Sequence, residues 1–158
     1  MTLAAVGRAR DEPETVLFKQ YWQRAEALGP RLGFTTFSTL IANTSRRATA
    51  EARALDEAER LTRKVPIAAH RIVCDERGRS MTSDAFAAIL AQLRDSRGPD
   101  VLFVIGGPDG LSPSFRTSAQ HLIAFGCQTW PHLLVRAMLA EQIYRALTIL
   151  SGHPYHRR

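Results

Sequence analysis

The sequence predicts a three-layer α/β/α domain with a mostly parallel sheet, and three observations support this fold class. Short apolar runs alternate with longer helical patterns along the chain, as they do in βαβ units. The run at 101–105 (VLFVI) is wholly apolar and rich in β-branched residues, which is typical of a strand buried on both faces. The runs at 101–105 and 121–125 are each followed by a glycine, so we expect two adjacent strands that enter glycine loops at one edge of the sheet.

The glycine loop at 106–110 (GGPDG) is a candidate ligand site. Its three glycines permit positive φ and let a ligand approach bare backbone, and open α/β sheets bind ligands at the carboxyl ends of their strands. Two ordinary strand-to-helix turns would show the same spacing, so the spacing alone leaves both interpretations open. The loop matches neither GxGxxG nor GxxxxGK[ST], which argues against a Rossmann dehydrogenase and a P-loop NTPase.

The chain begins with a predicted strand and helix. Residues 3–6 (LAAV) form an apolar run that ends at Gly7. Acidic residues around a proline then predict a helix over 13–28, which Gly29 and the following proline stop. Trp22 falls on the apolar face of this helix, so we expect it in the core rather than as a platform for stacked bases.

A second strand and helix follow. Residues 33–41 (GFTTFSTLI) are β-branched and aromatic, which predicts a strand. Residues 48–63 alternate Ala, Glu and Arg, with Leu55 and Leu61 as apolar positions. This pattern predicts a long, mostly solvated helix whose basic residues form a soluble face or contact RNA phosphates.

The third strand is predicted at 71–74 (RIVC), followed by a turn at 75–78. Thr82 or Ser83 supplies the hydroxyl that caps the next helix. Its apolar stripe has the helical spacing i, i+3, i+4, i+7 and consists of Phe86, Ile89, Leu90 and Leu93.

The last third of the chain contains the strands at 101–105 and 121–125 and two more helices. Ser112 followed by a proline predicts the start of a short helix. The final helix is predicted over 131–150, ending before Gly152. Its apolar residues make it the expected dimer interface.

Length and charge restrict the function. At 158 residues the chain fits one domain, 1–158, with a sizeable core. Its 21 basic residues against 15 acidic ones are nearly all Arg, whose planar fork suits phosphate, so a nucleic-acid partner and a GC-rich genome are both compatible with the charge. No apolar run approaches the roughly 20 residues that span a bilayer, and the N-terminal apolar run is too short for a secretory signal. A cytoplasmic protein is therefore expected, and with it the absence of a structural disulfide.

Two segments make the chain resemble a known family. The segments IGGPDGLSPSF and TWPHLLVRAMLAEQIYRALTILSGHPYHRR closely resemble the ribosomal RNA large subunit methyltransferase H family, which are small stand-alone SPOUT methyltransferases. LAAVGRAR and RIVCDERGRSMTSDAFA resemble it as well, so the resemblance covers essentially the whole chain and is weakest over 35–66. The C-terminal string PHLLVR…EQIYRA…HPYHR is far more specific than a glycine loop.

The resemblance implies a fold and an activity that residue patterns do not. It implies a C-terminal trefoil knot, which is otherwise very rare, and a homodimer. It implies S-adenosylmethionine as methyl donor and N3 of a pseudouridine in 23S ribosomal RNA, within the assembled ribosome, as acceptor. It implies no metal, no membrane and no DNA partner.

The resemblance also implies a donor pocket. Its residues would be Cys74, Gly106, Phe125, Gly126, Cys127, Gln128, Thr129 and Trp130. Family members usually have leucine where Cys74 stands, and Trp130 is bulkier than the usual residue. Cysteine is small and apolar, so we expect it to pack against the adenosine moiety.

Candidates for acceptor chemistry lie in the last helix and the tail. The catalytic candidates are His132, Arg136, His153, Tyr155 and His156, and the RNA-binding candidates are Arg157 and Arg158. A base would help because the pseudouridine N3 carries an imide proton, and histidine titrates near neutral pH. A structural hydrogen bond for His132 and a solvated tail are the plainer alternatives, and no single base is assigned.

Two other functions remain alternatives at this point. A SPOUT methyltransferase acting on transfer RNA belongs to the same class, although the HPYHR tail argues against it. A basic RNA-binding module without turnover belongs to another class, and it would not bind S-adenosylmethionine.

Overall fold

The structure of the protein is a computed structural model that describes residues 1–8, 11–65, 69–96 and 100–157. Every predicted strand and helix is present. The elements are β1 Thr2–Val6, α1 Pro13–Leu28, β2 Ser38–Ala42, α2 Ala50–Thr62, β3 His70–Arg79, α3 Ser83–Asp95, β4 Val101–Ile105, α4 Pro113–Thr117, β5 His121–Ile123 and α5 His132–Ser151. Thr82 and Ser112 cap α3 and α4 with their hydroxyl groups, as the sequence predicts.

The sheet has the strand order β2-β1-β4-β3-β5, and all of its pairs are parallel. The expectation that β4 and β5 are adjacent is wrong, because β3 lies between them. Val73 of β3 pairs with Val104 of β4 on one side and with Leu122 of β5 on the other. The carboxyl ends of all three strands therefore meet at one edge.

Helices cover both faces of the sheet, which confirms the three-layer architecture. Phe103 packs in the core formed with α1, α3 and α5, whereas Val104 packs in the core formed with α2 and α4. Successive strand residues point to opposite faces, which explains why β4 is apolar at every position. Trp22 of α1 is buried in the first of these cores, as predicted.

Three strand boundaries differ from the sequence-based expectation. β5 ends at Ile123 rather than at 125. β2 begins at Ser38 rather than near 33, because Gly29–Leu32 forms a 3₁₀ helix that ends at Gly33 with a φ of 86°. β3 continues through the predicted turn at 75–78 to Arg79, and its pairing with β5 shifts register between Cys74 and Arg79. Such a bulge keeps the chain in the strand while redirecting its side chains.

Helix α2 is less solvated than predicted. Leu55, one of the two apolar positions noted in the sequence, is 51% exposed, whereas Glu57 is 1% exposed. The buried face consists of Ala54, Glu57, Ala58 and Leu61, with the spacing i, i+3, i+4, i+7 of one helix stripe. The error arose because a glutamate occupies a core position.

Helix α5 is the longest element, and its 20 residues correspond to a length of about 30 Å. It packs against α1 and α3. The trefoil knot stays a prediction. Within the described part of the chain, no helix is both long enough and apolar enough to cross a bilayer.

Candidate active site

A cleft of about 350 Å³ opens at the carboxyl ends of β3, β4 and β5. Three loops line it: the segment after β4, the segment after β5 and the bulged part of β3. The first turn of α5 closes one side of the cleft. Its apolar wall consists of Cys74, Ile105, Leu111, Ile123, Phe125 and Val135.

The glycines of the loop after β4 have different roles. Gly110 has a φ of 77°, and its N–H donates a 2.9 Å hydrogen bond to the carbonyl of Gly107, which forms a tight turn. A Cβ on Gly106 would lie 2.8 Å from the carbonyl carbon of Gly110. Gly106 is therefore required for the loop to fold against itself, whereas a Cβ on Gly110 would point into open space.

A buried carboxylate lies behind this loop. Oε1 of Glu57 accepts a 2.7 Å hydrogen bond from the Ser45 N–H, and Oε2 has no hydrogen-bond partner within the described residues. A Cβ on Gly107 would lie 2.6 Å from Oε2. Burial raises the pKa of Glu57, because desolvation disfavours the charged form.

The tip of the same loop is held by an ion pair. Arg53 donates two hydrogen bonds to Asp109, of 2.6 and 2.9 Å, in the bidentate geometry that favours arginine–carboxylate pairs. Arg53 also donates to the carbonyls of Arg47 and Ala48. The hydrogen bond from Arg53 lowers the pKa of Asp109. The pair is partly exposed, so its role is positional rather than a large source of stability.

The loop after β5 is fixed at two points. The hydroxyl of Thr129 donates a 2.9 Å hydrogen bond to Glu76, and the indole N–H of Trp130 donates a 3.1 Å bond to the carbonyl of Phe125. Gly126 has a φ of 101°, a conformation that glycine adopts without strain. The backbone of this loop thus forms a fixed wall of the cleft.

Cys74 contributes an apolar surface rather than a nucleophile. Burial, with a smaller effect from Asp75, raises the pKa of the thiol to about 12, so it is neutral at physiological pH. Asp75 itself lies 3.7 Å from Arg116, which donates a hydrogen bond to the carbonyl of Leu111. These contacts tie β3 to the segment after the glycine loop.

Two residues near the start of α5, one helical turn apart, converge on the end of β1. A Cβ built on Gly7 would lie 3.2 Å from Nε2 of His132 and 3.5 Å from Nη2 of Arg136, so both side chains lie against the backbone of Gly7. Arg136 donates hydrogen bonds to the carbonyls of Val6 and Gly7. Burial and, to a smaller extent, Arg136 lower the pKa of His132. The imidazole that borders the cleft is therefore neutral at neutral pH, whereas Arg136, with a pKa lowered to about 10 by burial, stays charged.

The structure brings most of the predicted donor residues together. The residues among them that line the cleft are Cys74, Gly106, Phe125, Gly126, Gln128, Thr129 and Trp130, together with the catalytic candidate His132. Cys127 is exposed and is not among the residues lining the cleft. Binding of a donor by these residues stays a prediction.

The tail candidates fold back from the end of α5 onto the middle of that helix and onto the start of α3. Tyr155 donates a 3.0 Å hydrogen bond to Glu141, and its ring lies 4.8 Å from the guanidinium of Arg145. Nε2 of His156 lies 3.8 Å from Asp84, and the N–H of Tyr155 donates to Nδ1 of His153. None of these contacts places the tail at the cleft of its own chain. Arg157 is exposed, and Arg158 lies outside the described residues.

Sequence reasoning missed three supporting groups of the cleft: Glu57, the Arg53–Asp109 pair and Glu76. A glutamate in the apolar stripe of α2 was a usable signal for the first, because carboxylates are rarely buried without a role. The other two depend on contacts between distant segments, and no local pattern marks them.

Comparison with known proteins gives a consistent result. The family described as "Predicted SPOUT methyltransferase" matches residues 1–156. A "Ribosomal RNA large subunit methyltransferase H" of Rhodopseudomonas palustris (strain ATCC BAA-98 / CGA009) is 46% identical over 157 residues, covering 99% of this chain and 98% of the relative. The protein of the same name from Bradyrhizobium diazoefficiens is 44% identical, also over 99% of this chain and 98% of its own length.

A solved structure supports the fold. A probable methylase family protein from Haemophilus influenzae Rd KW20 aligns with 99% of this chain and 70% of its own, at a TM-score of 0.51 and 8% identity. Together with the full-length sequence identity, these matches show that the chain belongs to the SPOUT methyltransferases and, within them, to the ribosomal RNA large subunit methyltransferase H family.

Proposed function

We propose that the protein is an S-adenosylmethionine-dependent methyltransferase of large-subunit ribosomal RNA that methylates N3 of a pseudouridine in 23S RNA on the assembled ribosome, in the cytoplasm. The names of its full-length relatives support the large-subunit RNA substrate. The observation on which the proposal depends is the cleft itself, because seven of the eight predicted donor positions line it.

The residues of the cleft fit S-adenosylmethionine. The apolar wall around Cys74 suits the adenosine moiety, and the fixed backbone after β4 and β5 offers amide and carbonyl groups for its polar edges. Three carboxylates and two guanidinium groups line the cleft, those of Asp75, Glu76, Asp109, Arg77 and Arg116. Asp75 and Asp109 are paired with arginines, so Glu76, whose hydrogen bond is to the neutral Thr129 hydroxyl, is the carboxylate that favours a cationic sulfonium. The donor supplies an already activated methyl group, so the protein has chiefly to hold the two reactants in line, which is worth roughly 7–11 kcal/mol in well-oriented systems.

His132 is the group best placed to accept the acceptor's proton. It borders the cleft, and its lowered pKa keeps it neutral at cellular pH, so it is able to accept the imide proton from N3. Arg136, one helical turn further along α5, adds to the effect of burial in lowering the pKa of His132 and donates hydrogen bonds to the two carbonyls at the end of β1. Arg136 is therefore a positioning residue in this proposal.

The position of the tail supports a homodimer with composite sites. The tail folds back onto the middle of α5, where Tyr155 bonds to Glu141, roughly 13 Å from His132 along the helix axis, and none of the residues that the described tail contacts lines the cleft. If the tail contacts the acceptor RNA, it does so at the cleft of a second protomer. We therefore propose that each site combines the donor cleft of one protomer with the tail of the other.

Two measurements test the activity. Ribosomes from a strain that lacks the protein are incubated with the purified protein and labelled S-adenosylmethionine, and the RNA is mapped by mass spectrometry. One added methyl group on a 23S pseudouridine is expected. Donor binding seen by calorimetry without any methyl transfer to ribosomes or transfer RNA would reject the enzyme, and label in transfer RNA would reject the substrate.

A mixed dimer tests the composite site. Gly106→Val disables the cleft of one protomer, and deletion of 153–158 removes the tail of the other. Neither variant alone should methylate ribosomes, whereas a co-expressed mixture should recover up to about a quarter of wild-type activity, because half the dimers are mixed and each has one intact site. A mixture that stays inactive although mixed dimers are isolated would contradict the shared site.

A further inference from the structure

A second cavity lies on the other side of the first turn of α5. Its volume is about 470 Å³, and it opens beside the carboxyl ends of β1 and β2. Helix α1 supplies one wall, through residues that include Phe18, and Leu133 of α5 supplies another. It is separate from the donor cleft, because His132 lines the cleft whereas Leu133 and Arg136 line this cavity.

The cavity is strongly cationic. Arg8, Lys19, Lys64 and Arg136 line it, and Glu14 is the one acidic side chain among its lining residues. Nε of Arg8 donates a 3.0 Å hydrogen bond to the side-chain oxygen of Asn43, and Nζ of Lys64 donates a 2.8 Å bond to the carbonyl of Ile41. Both of these contacts are with neutral oxygens, so they leave the positive charges uncompensated.

Arg136 is the most unusual of these cations, because only 4% of it is exposed. Its Nη2 donates to the carbonyls of Val6 and Gly7, but its Nε has no hydrogen-bond partner among the residues that the structure describes. Within the described residues, none of the ion pairs includes Arg136. The Thr15 hydroxyl oxygen, on the α1 wall, is also buried and has no partner in the described part of the chain. A buried charge is costly unless it is paired, so this arrangement suits an anion in the cavity.

We propose that the second cavity binds a phosphate group of the acceptor RNA strand, close to the nucleotide that is methylated. This inference rests on the proposed function, and it assigns the strand's position relative to the cleft. Guanidinium and ammonium groups together are the usual ligands of RNA phosphates. Because the two cavities lie on either side of one turn of α5, a strand whose phosphate is bound in the second cavity has its neighbouring base beside His132.

The rim cations allow a test that does not disturb the buried arginine. The triple variant Arg8→Gln/Lys19→Gln/Lys64→Gln removes three exposed charges of the cavity. The control Arg31→Gln/Arg46→Gln/Arg63→Gln removes the same charge from exposed positions that are not among the cavity's lining residues. Binding to purified large ribosomal subunits and to S-adenosylmethionine is measured for both, at a series of KCl concentrations.

The rim variant should bind large subunits about tenfold more weakly, which is the loss expected for a charge-assisted contact. The slope of log K against log [KCl] should be smaller by about one for each lost phosphate contact. Its affinity for S-adenosylmethionine should equal that of the wild type, and the control should keep the wild-type slope. Equal slopes for the rim variant and the control would overturn the proposal.

Inorganic phosphate separates an RNA phosphate from a free anion. Its binding to the wild type and the rim variant is followed by phosphorus NMR at constant ionic strength. Phosphate binding lost in the rim variant, together with unchanged subunit binding, would assign the cavity to a free anion and overturn the RNA contact. Absence of donor binding in the wild type would instead reject the proposed methyltransferase, while the salt slopes would still decide the second cavity.

Discussion

The hydroxyl of Thr129 donates a 2.9 Å hydrogen bond to Oε2 of Glu76, which joins the loop after β5 to the bulged end of β3. Both residues line the cleft. The bond crosses 53 residues of sequence, and it fixes the distance between two walls of the proposed donor pocket. The geometry of the cleft therefore depends on single contacts between loops as well as on the sheet.

Thr129→Val removes this bond at nearly constant volume. We expect donor affinity to fall by roughly three- to tenfold, because one hydrogen bond contributes about 0.5–1.5 kcal/mol, with little change in stability because both partners are exposed. Thr129→Ser should restore affinity. Thr117→Val is the control, because it removes a hydroxyl that bonds locally to the carbonyl of Ser114. It should leave donor binding in calorimetry unchanged. A loss of affinity as large as that of Thr129→Val would argue against the role of the loop bond.

Gly106→Ala tests the glycine loop. The new Cβ would lie 2.8 Å from the carbonyl carbon of Gly110, so the loop has to shift, and we expect donor affinity to fall at least tenfold, or about 1.4 kcal/mol. Gly106→Val should abolish binding while circular dichroism shows a folded chain.

Gly152→Ala is the control. Gly152 has a φ of 68°, and a Cβ there would meet open space, so alanine would be strained without touching the cleft. It should lower stability by roughly 1 kcal/mol but spare donor binding. Wild-type affinity in folded Gly106→Val would refute the pocket.

The pH profile of methylation tests His132. Because its pKa lies below the ordinary 6.5, it stays neutral at neutral pH, and kcat/KM should be flat there and fall only at a pH below 6.5, where the imidazole becomes protonated. His132→Asn should lose about 10²- to 10⁴-fold in rate, as for other general bases, and should lose the acidic limb. His121→Asn, at the amino end of β5, is the control and should keep both the wild-type rate and the acidic limb of the pH profile. An acidic limb that persists in His132→Asn would assign it to another group.

Glu57→Gln should change how stability depends on pH. The raised pKa of Glu57 means that the folded state holds its proton more tightly than the unfolded chain. Its contribution to stability is present below the unfolded pKa, near 4.5, and is lost as pH rises through the folded value. Glutamine cannot ionise, so the stability of the variant relative to wild type should rise from pH 4.5 to pH 8 in urea titrations.

Glu59→Gln is the matched control, because Glu59 lies on the exposed side of α2, with 67% of its side chain accessible. Its stability relative to wild type should show much less dependence on pH than that of Glu57→Gln. Parallel pH dependences for the two variants would mean that Glu57 is not buried as described.

The caps of α3 and α4 and the run of β4 were predictable because they depend on residues close in sequence. A hydroxyl two or three positions before a helical stripe bonds to an amide of the same turn, as Thr82 and Ser112 do. A wholly apolar run indicates a strand that is buried on both faces of the sheet, as β4 is. The assignment to the family was also available from the sequence, since motifs along the whole chain carry it.

The errors have a common physical origin. The burial of Glu57, the position of β3 between β4 and β5, and the extension of β3 to Arg79 all depend on partners far away in sequence. Local propensity gives no information about such pairing, which the packing of the whole core decides.

The sequence alone therefore determined the fold class, the carboxyl-edge glycine loops and the family, because each follows from local patterns or from motifs. Only the tertiary structure decided that Arg136 lies buried beside a second, cationic cavity and that the tail packs back against the middle of α5 and against Tyr21 of α1. Both facts depend on how a helix about 30 Å long is placed against the sheet, and that placement results from packing between segments more than 100 residues apart, such as Arg136 and Gly7.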